Sequence, residues 1–399
     1  MGLSALLSGV IMPVLRSATL AALLLAATSS LSSASAAAPP SHAAGLGVVL
    51  TSKSGGQIFG FDIDREVNDG VLATASSVEV FDQDKGKVIR SLGHFTNQDS
   101  DYVAYGIAAG DVGLIDHEVV PEGKLFPHRH YLVMNPVSGK KFTGKWTPPH
   151  HGIIVQQMAE GQVAQTTAIF ALDSLKQQET PLLVVSDIAA NTFPSVFKLD
   201  ENLFGLGNGP NLAQYTAANQ AVFALSPDGG AVGGNPPVNV LIDLATGQQT
   251  KFNGYNNGFF HAGYVNGLAV DPNTGVAATT TELNAQVEFY DMNKKTGITF
   301  AQLPCSGDTD QGLSATSVAN DPVNKLFLVT APNYCDGSEG SAVLLYNERG
   351  KLVETITGFH LASGAVLNPP PRINPNKRLG WMYGGPNGDG RNQLTQFFY

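Results

Sequence analysis

Charge is scarce in this 399-residue chain. Asp, Glu, Lys and Arg make up 14% of it, against about 25% in ordinary soluble proteins. Basic residues are the scarcer sign, 23 against 33 acidic, for a formal net charge of -10. No basic cluster offsets that balance, so the chain repels phosphate backbones and nucleic acid is excluded as a partner. Long apolar runs are also missing. The run from Ala18 to Ala27 would reach about 15 Å as a helix, half of the bilayer core, so no membrane span is expected. Cysteine occurs twice, at Cys305 and Cys335, and no Asn-x-Ser/Thr sequon occurs. The missing sequon fits bacterial export better than eukaryotic secretion.

What is present begins with an export signal. Arg16 precedes the apolar run, small residues follow it, and Ala34-Ser35-Ala36 matches an A-x-A cleavage site. No cysteine follows the run, which excludes lipid attachment at a new N-terminal cysteine. The expected organisation is a signal peptide over 1–36, a flexible segment over 37–44 and one folded domain over 45–399. The protein is expected to be periplasmic or extracellular, and a monomer. Cleavage removes only Arg16, leaving 22 basic and 33 acidic residues, a net charge of -11. The remaining 363 residues (399 minus 36) are long for one ordinary core and normal for a repeat architecture. With 44 Gly and 23 Pro, turn-rich β structure is favoured over a helical bundle.

Apolar runs ending in Asp, Asn or an aromatic recur: VEVFD at 78–82, YLVMN at 131–135, VFKLD at 196–200, VNVLID at 238–243, VEFYD at 287–291, VLLYN at 343–347 and TQFFY at 395–399. Their ends, at 82, 135, 200, 243, 291, 347 and 399, lie 53, 65, 43, 48, 56 and 52 residues apart, around the period of a four-stranded propeller blade. Each run is read as the third strand of a blade. Turns and further apolar runs follow most of them, as in DQDKGKVIRSL and DMNKKTGITF, which marks an outer hairpin. Inner hairpins precede the later ones, as in GLAVDPNTG at 267–275 and SVANDPVNK at 317–325, where Pro fits the turn and cannot continue a central strand. The last copy lacks a fourth strand, while GLGVVLTS at 45–52 has no sheet of its own. These observations predict an all-β, seven-bladed β-propeller closed by pairing of the N-terminal strand with the C-terminal blade, which protects the ends of the ring. The run IIVQQMAEG at 153–161 has no place in this register.

The copy NGLAVDPNTG … VEFYDMNKKTG at 266–297 resembles the propeller repeats of the YVTN, NHL and gluconolactonase/regucalcin-like groups, and the resemblance covers nearly the whole mature chain. These groups include lactone hydrolases, lyases and plain binding proteins. In the gluconolactonase-like enzymes a first-blade Glu, an Asn ahead of Gly and a later Asp hold a divalent metal. Asn266-Gly267 matches the middle element, whereas no Glu-Gly-Pro occurs near residues 50–60.

In a propeller, the connections from one blade's outer strand to the next blade's inner strand share a face with those joining second and third strands. Ligands enter at that face. His94, His150, His151, His261 and His360 follow outer strands, and His128 and His130 precede a third strand; His42 and His117 fall outside these connections. Imidazoles converging on one mouth could hold one divalent metal ion, which would polarise a substrate oxygen or acidify water. The candidate metal set is His151, His261 and Glu118, with Glu122 as a further oxygen ligand or base. His94, His128, His130, His150 and His360 form the candidate ligand-binding set. The alternative for all of them is structural, as hydrogen-bonding groups that tie blades together. A metal-free pair, His151 or His261 as base with Tyr264 or Tyr105 as acid, would suit β-elimination from a uronic-acid polymer; core packing is the alternative role of Tyr264.

Cys305 and Cys335 fall in two connections of the same face. In an oxidising compartment they point to a disulfide closing a 31-residue loop, worth about 3 kcal/mol. Trp146 and Trp381 fall at strand positions as blade-packing anchors. Asp82, Asp243 and Asp291 read as turn formers, and GGPNGDGRNQ at 384–393 as a Gly-rich turn. Three functions follow. The leading one is binding, without chemistry, of a small molecule, a carbohydrate or a protein segment at the histidine-bearing mouth. The others are a metal-dependent lactone hydrolase or polysaccharide lyase, and a protein-interaction scaffold at the cell envelope.

Overall fold

The computed structural model describes residues 44–65, 67–74, 76–94, 103–108, 112–119, 128–135, 144–149, 153–159, 166–173, 180–188, 190–204, 210–226, 237–254, 265–281, 286–304, 317–331, 341–359, 370–384 and 392–399. The chain divides into two units, Met1–Ser41 and His42–Tyr399, and every described residue belongs to the second.

Among the described residues the strands form seven four-stranded antiparallel sheets. The chain opens with β1 (Gly45–Thr51) and then makes blade 1 from β2 (Ile58–Ile63), β3 (Asp69–Thr74), β4 (Ser77–Asp82) and β5 (Lys87–His94). Blade 2 is β6 (Val103–Ala108), β7 (Val112–Val119), β8 (His128–Met134) and β9 (Gly144–Trp146). Blade 3 is β10 (Ile153–Met158), β11 (Thr167–Asp173), β12 (Thr180–Asp187) and β13 (Thr192–Lys198), followed by the single-turn helix α1 (Glu201–Phe204). Blade 4 is β14 (Asn211–Tyr215), β15 (Gln220–Leu225), β16 (Val238–Asp243) and β17 (Gln249–Asn253). Blade 5 is β18 (Val265–Val270), β19 (Val276–Thr281), β20 (Gln286–Asp291) and β21 (Thr296–Gln302). Blade 6 is β22 (Ser317–Asp321), β23 (Leu326–Ala331), β24 (Ser341–Asn347) and β25 (Leu352–Phe359). These six sheets each use four consecutive strands. The seventh is a composite: β26 (Arg372–Asn374), β27 (Leu379–Tyr383) and β28 (Gln393–Phe398) take β1 as their outermost strand.

Burial explains the sequence pattern of the strands. Middle strands lie between two neighbouring blades, so both faces are covered and the run is apolar throughout, as in LFLVTA of β23 and SAVLLY of β24. Outer strands keep one face toward solvent and alternate with period two, as in TFPSVFK of β13 and TGITFAQ of β21. Aromatic rings packed nearly edge-on fill the seams between blades: Phe81 against Trp381 at 5.3 Å, and Phe170 against Phe223, Phe289 against Phe327 and Phe359 against Phe397, each at 5.8 Å. Trp381 is therefore a packing anchor. The innermost strands β2, β6, β10, β14, β18, β22 and β26 pack in that order, and β26 returns to β2. Radial sheets around a ring of inner strands define a β-propeller.

The ring closes through the two ends of the domain. Gly45 pairs with Phe398, Leu46 with Phe397, and Val49, Leu50 and Thr51 with Thr395, Leu394 and Gln393, the register shifting between Leu46 and Val49. At that bulge Val48 N donates to the Gln396 side-chain oxygen at 3.2 Å, and Gln396 Nε2 donates to Gln83 O of blade 1 at 2.7 Å. Lys377 of blade 7 reaches Asn68 Oδ1 at 2.6 Å and Asp84 Oδ1 at 2.7 Å across the same seam.

The structure corrects the expected register in blade 3. VFKLD was expected as a third strand, but Thr192–Lys198 is the outer strand β13, paired on one side only with β12. The third strand is β12, and IIVQQM, which had no place, is the innermost strand β10. The cause lies in Asp200. Its carboxylate accepts from Asn202 N at 3.0 Å and its carbonyl from Phe204 N at 2.8 Å. It therefore starts α1 and closes no hairpin, although the side-chain chemistry of a helix start and of a turn is the same.

Candidate functional site

The two ends of the propeller differ. At one end, the turns joining first to second and third to fourth strands are mostly short and tied by an Asp or Asn side chain. Asp82 Oδ1 accepts from Asp84 N and Lys85 N, Asp243 Oδ1 from Ala245 N and Thr246 N, Asp291 Oδ1 from Asn293 N and Lys294 N, and Asn347 Oδ1 from Arg349 N and Lys351 N. Burial pushes the pKa of Asp82 and Asp291 up, but hydrogen bonds from the Lys85 and Lys294 side chains and from the turn amides outweigh it, leaving both carboxyls below their ordinary value. Asp243 is lowered by the Thr246 hydroxyl and by the Thr246 and Ala245 amides against a small burial effect. These aspartates are turn formers, held ionised by the turns that they close.

The same end holds an ionic cluster where blades 1, 6 and 7 meet. Tyr399 donates its hydroxyl to Asp321 Oδ2 at 2.9 Å, and Arg378 lies over the Tyr399 ring at 5.6 Å. Burial and the Asp321 charge raise the Tyr399 pKa well above that of a free phenol, against the opposing charges of Arg65 and Arg378. Burial lowers the Arg65 pKa, while Asp62, Tyr399 and Asp321 oppose the shift. Asp62 also faces Arg372 at 3.6 Å. The cluster consumes its charges internally and pins three blades together.

At the other end the chain runs between strands over 199–210, 254–264, 303–316 and 360–371, and also over 226–237 and 332–340. His150, His151, His261, Tyr264, His360, Glu122, Cys305 and Cys335 lie outside the described residues. His94 is the last residue of β5, opposite Ser77. His128 and His130 do not precede the third strand of blade 2, as expected, but form its first turn-side positions within β8. The register places His128 opposite Val119, His130 opposite His117, and Arg129 opposite Glu118, which lies in the second strand, β7. Tyr105 lies in β6 and Trp146 in β9. Among the described residues no group of three or more His, Cys, Asp and Glu could hold a metal ion.

One part of this end is described in detail, and sequence reasoning missed it. Glu79 of β4 is 2% exposed. Its Oε2 accepts from Ser52 Oγ at 3.1 Å and Lys53 N at 3.0 Å, and its Oε1 from Ser54 N at 3.0 Å and Ser77 Oγ at 3.1 Å. Ser54 Oγ and Ser77 Oγ lie 2.9 Å apart, and Thr74 Oγ1 lies 3.2 Å from Ser54 Oγ and 3.1 Å from Ser77 Oγ. Four donors saturate the buried carboxylate, so its charge is compensated without a cation. The network clamps the segment that crosses from β1 to β2 onto blade 1. A serine beside a carboxylate, with no imidazole between them among the described residues, lacks the base that acyl transfer requires. The cluster is a rigid rim. Its signal in the sequence was the acidic residue inside the apolar run VEVFD, followed across space by the Ser-rich TSKSGG.

No family model matches the chain, and no curated protein matches it. Among solved structures it is similar to Raptor from Chaetomium thermophilum, with a TM-score of 0.57 at 10% identity, over 88% of this chain and 28% of that one. It is also similar to the β-propeller domain of Cps50 (Swd1) from Myceliophteria thermophila, with a TM-score of 0.57 at 12% identity, over 90% of this chain and 100% of that one. The chain thus spans less than a third of the length of Raptor. Likeness at such identities shows the fold alone: a β-propeller.

Proposed function

We propose that this propeller is exported and serves as a non-catalytic scaffold that holds a protein segment against the end bearing its long connections. The observation that carries the reading is the asymmetry between the ends. One end is closed by turns such as 83–86, 244–248, 292–295 and 348–351, each tied by the side chain of an Asp or Asn. The other carries connections of up to 14 residues, 303–316. A rigid framework with its long connections gathered at one end suits recognition, because the sequence of such segments can vary without disturbing the blades. Net negative charge directs the scaffold toward a basic or neutral segment and away from nucleic acid.

The test is affinity capture from the exported fraction with the wild type and with two variants. His261→Ala/His360→Ala alters the end with long connections. Val323→Arg alters the opposite end, where Val323 is 61% exposed. A partner lost with the first variant, retained by the second and not displaced by free sugars supports the reading. A partner retained by the first and lost by the second would reverse the assignment of the binding end. Mass spectrometry of the exported protein tests cleavage after Ala36.

A further inference from the structure

We propose that the seam between blades 4 and 5 is a binding site for a small polyhydroxylated molecule. On blade 4 the register aligns Asn211, Ala224, Asn239 and Phe252 in one cross-strand row. Both ends of that row touch blade 5: Asn211 Nδ2 donates to Val265 O at 2.5 Å, and the Phe252 ring lies 6.2 Å from that of Tyr290. Asn239 lies between these contacts and so faces the middle of blade 5. There, Thr279 pairs with Glu288 and Thr281 with Gln286, on the same face of the sheet as Tyr290 by the two-residue alternation of a strand. Tyr290 donates its hydroxyl to Glu288 Oε2.

Asn239 and Thr279 are each 1% exposed and Thr281 is 3% exposed. Among the described residues, neither the oxygen nor the nitrogen of the Asn239 amide has a partner, and neither does the Thr279 or Thr281 hydroxyl. Buried polar atoms are nearly always paired, so these define what the seam accepts. A cation would satisfy the Asn239 and threonine oxygens but leave the amide nitrogen unanswered. An anion would meet the Glu288 carboxylate. A hydroxyl both donates and accepts, and several hydroxyls on one carbon skeleton can reach Asn239 and the threonines together. The Phe252 ring offers the apolar surface that C–H groups of such a molecule need. Gly254 completes the outline, because a Cβ there would lie 2.9 Å from the Tyr290 hydroxyl and 2.8 Å from Pro237 O.

Saturation-transfer NMR and calorimetry on the full chain, titrated with glycerol, erythritol, myo-inositol and glucose, test the site. Thr279→Val keeps the shape of the residue and removes one hydroxyl; Asn239→Leu removes the amide. Saturable binding of at least one of these polyols by the wild type is expected. Thr279→Val should weaken it roughly tenfold or more and Asn239→Leu should abolish it, with circular dichroism unchanged. Polyols also stabilise proteins generally by exclusion, so the readout is the saturable isotherm and not the melting temperature. Equal affinity in wild type and Thr279→Val overturns the proposal even if Asn239→Leu fails to fold. No saturable binding by any of the four polyols, with both variants melting above the wild type, would mean that the seam holds water only, which also overturns it.

Discussion

Replacing Gln396 with Met separates the stitching of the closing sheet from its strand ladder. Gln396 is 2% exposed, and its amide joins three segments, accepting from Val48 N of β1 and donating to Gln83 O of blade 1. Met keeps the length and bulk of the side chain but neither hydrogen bond. Gln83 is fully buried, so its orphaned carbonyl costs about 1–3 kcal/mol. Val48 is exposed enough for water to replace its partner, and the loss there is about 0.5–1.5 kcal/mol. The sum centres on about 3 kcal/mol. For a domain over 45–399, an unfolding entropy of about 2.1 cal/mol/K per residue amounts to roughly 0.75 kcal/mol/K, so the melting temperature should fall by about 4 °C. The effect should be local as well, with hydrogen exchange accelerating in β1 and unchanged in blade 5. Calorimetry and exchange mass spectrometry read both. A fall of less than about 1 °C with unaltered β1 protection would show that the ladder alone closes the ring, and even acceleration in all blades would show that the amide has no local role.

Three further outcomes follow from the same contacts. The raised Tyr399 pKa means that the stability it carries is complete below the unfolded phenol value of about 10 and is lost as pH rises beyond it; Tyr399→Phe should flatten that alkaline limb in urea titrations. The depressed pKa of Asp291 contributes stability above about pH 4 that is lost on further acidification. Asp291→Asn should keep the turn, as Asn347 does in blade 6, and should change stability at pH 7 by less than about 1 kcal/mol while weakening the acid dependence. Gly247 has φ +74°, and a Cβ there would lie 2.5 Å from Phe197 Cδ1; Gly247→Ala should cost about 2–4 kcal/mol by denaturant melts, with Phe197→Ala relieving part of it.

The hairpins were legible because their chemistry is local. An apolar run that ends in Asp or Asn and turns back announces the third strand of a blade, since the side chain must cap the amides of its own turn, as Asp82, Asp243, Asp291 and Asn347 do. The pairing of GLGVVLT with the final strand followed from an unpartnered run at each end of the domain. The third blade misled the same rule. Asp187 caps its outer hairpin by accepting from Ala190 N at 2.9 Å, but it ends LLVVSD, a run resembling any buried strand, whereas VFKLD ends in an Asp that caps a helix. Distinguishing the two requires knowing whether the next residues turn or coil, which no single carboxylate reveals. The functional face was legible only as a set of connections. Four of the seven histidines assigned to it, His150, His151, His261 and His360, fall between strands in the sequence, where spacing does not determine which side chains meet. The other three, His94, His128 and His130, lie at strand ends whose bounds the sequence did not mark.

Comparison of two equivalent positions sharpens the case for the blade 5 seam. VEVFD of β4 and VEFYD of β20 each bury a glutamate at their second position, Glu79 at 2% and Glu288 at 1% exposure. Both face the preceding blade. In blade 1 the residue across from the glutamate on the second strand is Leu72, fully buried among apolar side chains. In blade 5 it is Thr279, equally buried, whose hydroxyl has no partner among the described residues. Leu at this position satisfies the blade, so architecture alone does not require a hydroxyl there. Burying an unpaired hydroxyl costs about 1–3 kcal/mol, and Asn239 repeats that cost on the facing blade. A stability requirement would have removed both, whereas a binding requirement retains them, and Thr279→Leu should therefore raise the melting temperature while abolishing any saturable polyol isotherm.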